Sequence, residues 1–62
     1  MTDPTLSRLK HDLANPLAAI LAETQLLLMR SDELPPDMVE SLQAVETGAL
    51  RMRDMLRELK SG

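Results

Sequence analysis

The stretch His11-Asp12-Leu13-Ala14-Asn15-Pro16-Leu17 carries the residues in this chain best suited to chemistry. Imidazole changes charge nearest neutral pH, so His11 offers a neutral ring nitrogen as a nucleophile. The Asp12 carboxylate can take a hydrogen bond or a proton from one ring nitrogen and leave the other to attack. Asn15 adds an amide one turn further on. Pro16 removes a backbone donor and clashes with the carbonyl one turn back, at ~3 kcal/mol or more in an uninterrupted helix. Yet the apolar pattern runs straight through it. Metal chemistry is not expected, because one His and no Cys cannot build a zinc site.

Two elements must position these residues. Asp3-Pro4 reads as a helix start, with Asp as N-cap and Pro at the first helical position. Leu6, Leu13, Ile20 and Leu27 then recur every seven residues, and Leu9, Leu17, Leu21, Thr24 and Leu28 widen the stripe to the face a bundle helix buries. This pattern predicts a first helix over about residues 4–30, roughly 40 Å long. A linker at residues 31–35 contains the first of two successive prolines. Pro36 can open a second helix over about residues 36–60, with Asp37 and Glu40 in its first turn. Met38, Leu42, Val45, Ala49, Met52, Leu56 and Leu59 form its coiled-coil seam. Arg51, Arg53, Arg57 and Lys60 load its C-terminal half, the end that favours cations, and Ser61-Gly62 closes it.

Composition agrees with an all-α chain. Leu, Ala, Met, Glu, Gln and Arg dominate, all strong helix formers. A short connection between two long helices makes an antiparallel helical hairpin. The 62 residues make one small domain, with no aromatic residue and no disulfide to support it. Both stripes are wider than one partner helix covers, so two hairpins are expected to pack as a homodimeric four-helix bundle. Its expected core is Leu13, Leu17 and Ile20 from the first helix with Leu42, Val45, Ala49, Met52 and Leu56 from the second. A net charge of −3 argues against nucleic acid. No apolar run reaches the ~20 residues of a membrane span, and the start is no signal peptide. A cytoplasmic setting is expected.

At about 100° per residue, His11 lies about 150° from the centre of the first helix's apolar stripe. An exposed imidazole follows, sharing its face with Arg8, Ala14, Asn15, Ala18 and Ala22. Surface histidines are usually inert. The in-helix proline and the alanine-paved face set this one apart.

The stretch from His11 to Leu17, with Ala18-Ala19-Ile20 following, resembles the H-box of sensor histidine kinases. That box reads His, Asp or Glu, an apolar residue, a variable one, Thr or Asn, then Pro-Leu, with an aliphatic residue three further on. Every slot is filled. A long helix with the box near its start, a short loop and a heptad helix also resemble the family's dimerisation and histidine-phosphotransfer domain over nearly the whole chain.

The resemblance implies that His11 accepts the γ-phosphoryl group of ATP and passes it to an aspartate of a response regulator. Asp12 would polarise or deprotonate the imidazole, and Asn15 would orient the water that removes the phosphoryl group. Pro16 would bend or loosen the helix, so that a catalytic domain and a receiver reach His11 in different states. The receiver is expected on the row Ala14, Ala18, Ala22 and Gln25, where small side chains permit close approach. The chain itself shows no Gly-rich phosphate loop and is expected to bind no cofactor. ATP and Mg would come with a separate kinase catalytic domain, in cis or in trans. As part of a protein-histidine kinase the chain would act in phosphotransfer, either as a fragment of a longer kinase or as the target of a separate one. The rival reading is a dimerisation module that is never phosphorylated.

If the chain turns between residues 31 and 36, residues whose numbers sum to about 67 lie level. His11 then sits beside Leu56, flanked by Arg53 and Arg57. These guanidinium groups can attract a phosphoryl group or an acidic receiver, or only answer the dipole and pair with Asp54 and Glu58. Gly48 comes level with Ala19, where either a close backbone approach or an unremarkable flaw would account for it.

Overall fold

A computed structural model describes residues 4–59. The expected Asp3 N-cap, Lys60 and the Ser61-Gly62 stop lie outside them. Helix α1 spans Pro4–Leu28, a single 3-10 turn spans Ser31–Glu33, and helix α2 spans Pro36–Glu58. The described residues hold no strand. The two helices pack side by side into a rod of 50 × 14 × 12 Å. Lys10 Nζ donates to the Leu59 carbonyl at 3.3 Å, which brings the start of α1 level with the end of α2. The fold is an all-α antiparallel hairpin.

The ends have local causes. Helix α1 stops at Leu28, two residues before the expected Arg30, because the Arg30 N–H turns back to the Leu27 carbonyl in a tighter i→i+3 bond. Arg30 Nε then pairs with Glu33 at 2.9 Å, and the Glu33 N–H reaches the Arg30 carbonyl. With the Leu34 N–H on the Ser31 carbonyl, this backbone bond closes the linker into a 3-10 turn. The Pro35 carbonyl accepts from both Met38 and Val39, which starts α2 with Pro36 in its first turn. Only Asp37 of the two expected acids falls in that turn, which ends one residue short of Glu40, and of the described basic residues only Arg57 falls in the last. Helix α1 continues unbroken through Pro16.

The core is small because a pair of helices has little inside. Leu17, Leu21 and Ala49 are buried, with Leu50 and Leu56 packed against them. Thr24 is buried too, and its hydroxyl donates to the Ile20 carbonyl at 2.7 Å, satisfying itself within its own helix. Of the expected core, Leu17 and Ala49 meet inside the hairpin, with Leu42 and Leu56 half-buried. Leu13, Ile20, Val45 and Met52 instead remain 43–52% exposed. With Leu27 on α1, and Met38 and Leu59 on α2, they make two heptad-spaced apolar rows. Between the rows runs an apolar groove lined by Leu13, Pro16, Ile20, Val45 and Met52. Gly48 lies in the open: a Cβ built there meets nothing within 4 Å, so no close backbone approach to α1 explains it.

Candidate functional site

His11 sits in the first half of α1, six residues and somewhat under two turns before Leu17. Leu17 and Leu21 face α2, and this fixes the rotation of the whole helix. Residues about 60–120° further round, at Ala14, Ala18 and His11, are thereby turned to one flank of the hairpin. There the two helices enclose a groove of about 470 Å³. His11, Ala14, Ala18 and Gln25 line it from α1, and Arg53, Leu56 and Arg57 line it from α2. His11, Leu56 and the two arginines around it share this lining.

His11, Asp12 and Asn15 are all exposed. Among the described residues none of the three side chains makes a hydrogen bond or an ion pair, so Asp12 does not hold the imidazole in this state. Consecutive helical residues diverge by about 100°, which leaves the carboxylate beside the ring rather than beneath it. Ala14, Ala18, Ala22 and Gln25 are exposed, but Ala22 lies outside the groove that the other three line. Pro16 leaves the Asp12 carbonyl without an amide donor one turn on. It lines the apolar groove between the exposed rows, not the His11 groove.

Electrostatically the His11 groove is one-sided. Lys10, Arg53 and Arg57 line it and no carboxylate does, in a chain with net charge −3. Arg53 Nη2 lies 3.5 Å from Asp54, with the expected Arg57–Glu58 pair absent among the described residues. Arg53 Nε is buried without a hydrogen-bond partner. Two features went unread in the sequence. Lys10 borders His11 directly, and the same sum rule that pairs residues 11 and 56 sets it near the end of α2. The orphaned Arg53 donor depends on how α2 is rotated about its axis, which spacing alone leaves open.

Among the described residues no group of His, Cys, Asp or Glu side chains is arranged to hold a metal ion. No helix of the described residues is long and apolar enough to cross a membrane. No curated protein and no solved structure matches the chain. A family model described as His Kinase A (phospho-acceptor) domain matches residues 5–61.

Proposed function

The chain belongs to the His Kinase A phospho-acceptor domain family, the histidine kinases of two-component signalling, and on that premise we propose that His11 is its phosphoacceptor. The single observation that carries the reading is the position of the box: His11 stands exposed at a groove paved by Ala14 and Ala18. On α1, the two groove residues that follow the ring, Ala14 and Ala18, leave a donor or a receiver room to approach.

Phosphoryl transfer is chiefly a matter of positioning and charge stabilisation. The lone pair of one His11 ring nitrogen attacks the γ-phosphorus. The bond from that phosphorus to the bridging oxygen breaks, and ADP leaves with the electron pair. The proton on the other ring nitrogen passes to Asp12, which must swing toward the ring to take it. In the second transfer a receiver carboxylate oxygen attacks the phosphorus and the P–N bond breaks. Its electrons return to the ring as Asp12 gives the proton back to the other ring nitrogen, which restores the neutral imidazole. ATP and Mg belong to a separate kinase catalytic domain in this scheme. Asn15 would orient water when the receiver is dephosphorylated, and Pro16 would let the upper part of α1 adopt more than one alignment.

Dimerisation supplies the scaffold. The rows Leu13-Ile20-Leu27 and Met38-Val45-Met52-Leu59 stay 41–52% exposed on the hairpin, apolar surface of the kind that marks an interaction face. A second copy laid against them completes a four-helix bundle and leaves the His11 groove on its outside. The test is reconstitution. The chain, a kinase catalytic domain with Mg-ATP and a receiver domain are combined, and His11→Gln is compared with wild type. Label on the wild-type chain that moves to the receiver, and none on His11→Gln, is the expected result. A stable dimer that never takes label would leave only the dimerisation module.

A further inference from the structure

Resting on the reading of His11 as phosphoacceptor, we infer that Arg53 of α2 is a phosphoryl-binding residue, its guanidinium holding the oxygens of the phosphoryl group on His11 of the same chain. The groove brings the two together from opposite helices. Three cations line it and no acid does, although the chain as a whole is acidic. Two of the three have other work. Lys10 is engaged with the Leu59 carbonyl at 3.3 Å. Arg57 lies in the last turn of α2, where a cation answers the helix dipole.

Arg53 has no such account. It precedes the last turn, and its contact with Asp54, 3.5 Å from one Nη, is weak for a charge-assisted bond. Its Nε is buried without an acceptor. A buried donor left unpaired is costly, and in native structures such a group points to a missing partner. The Arg53 side chain is 42% exposed, so a turn about its stem brings Nε out to the phosphoryl oxygens, which are negative and suit a guanidinium fork as a carboxylate does. Arg53 forms no covalent bond in either transfer. It holds the oxygens that stay on phosphorus while the bond to the ring nitrogen forms or breaks.

Phosphoramidate, a small phosphoryl donor that needs no kinase domain, allows a test on the full chain. The Arg53 Nε–H resonance is assigned as the one missing in Arg53→Lys. On phosphorylation of the wild-type chain it is expected to move downfield. Arg53→Gln is expected to take phosphate about tenfold more slowly, with Arg53→Lys recovering part of the loss and circular dichroism unchanged. An unmoved Nε–H resonance on a chain labelled at His11 would overturn the inference alone. So would an Arg53→Gln that takes label normally and loses only transfer to a receiver, which would make Arg53 a docking residue. If Arg53→Gln does not fold, the wild-type spectrum decides. A wild-type chain that phosphoramidate and a kinase domain both fail to label at His11 would overturn the phosphoacceptor reading and this inference with it.

Discussion

Val45→Asp separates a hairpin that stands alone from one that needs a second copy. Val45 is 47% exposed in the hairpin and lies in the α2 row with Met38, Met52 and Leu59. On a lone hairpin the change is a surface substitution, expected to stay within about 0.5 kcal/mol. In a two-fold bundle the same carboxylate is buried without a partner, at ~3–5 kcal/mol, and symmetry places it there twice. Even one copy at the lower figure weakens association about 100-fold, and two copies raise that to about 10⁴-fold. Sedimentation equilibrium across the micromolar range, with thermal melts at each concentration, reads both effects. The wild-type melting temperature should rise with concentration, as dimerisation requires. Ala22→Asp, exposed on the far side of α1, is the control and should sediment like wild type. A wild-type chain that is a folded monomer, or a Val45→Asp that sediments like wild type, would refute the bundle.

Three further outcomes follow from the same geometry. Ala18→Arg fills the groove below His11 without touching the buried Leu17, Leu21 and Ala49. It should block transfer to a receiver while phosphorylation by a kinase domain and the melting temperature hold, and a large loss of stability would mean the buried face of α1 is misassigned. Gly48→Ala should stabilise by about 0.5–1 kcal/mol by thermal melt, since a Cβ there meets nothing within 4 Å, and destabilisation would put a second protomer's backbone over that site. Asp12→Asn should slow acceptance in a timed labelling assay, and Asn15→Ala should chiefly slow loss of phosphate from the receiver; equal effects of both on both steps would contradict their separate roles.

The helices, their antiparallel pairing and the approach of His11 and Leu56 to one groove were legible because each follows from periodicity and one short connection. What periodicity could not assign was which apolar row goes where. Leu17 and Leu21 face α2, whereas Leu13 and Ile20 stay outside. A stripe wide enough for two neighbours does not say which neighbour each edge meets. The 3-10 turn escaped notice because it rests on two local backbone bonds, Glu33 N–H to the Arg30 carbonyl and Leu34 N–H to the Ser31 carbonyl, inside a segment with no apolar period. Glu40 misses the first turn of α2 for a simpler reason: it comes one residue too late after Pro36. Within the site, the alanine row was visible at intervals of four, but Ala22 turns past the groove while Gln25 stays within its lining. The arginines read either as attracting a phosphoryl group or as answering the dipole and pairing with Asp54 and Glu58, and the buried Arg53 Nε appears only once α2 has its rotation.

The central claim is that the phosphoryl group forms a bond to His11 and to no other residue. The most direct measurement is the site and acid lability of the phosphate on the wild-type chain after incubation with a kinase catalytic domain and Mg-ATP. One phosphate per chain on His11 is predicted, lost in acid and stable in base as a P–N bond requires. Acid-stable phosphate on a Ser or Thr, or label that persists in His11→Gln, would contradict it.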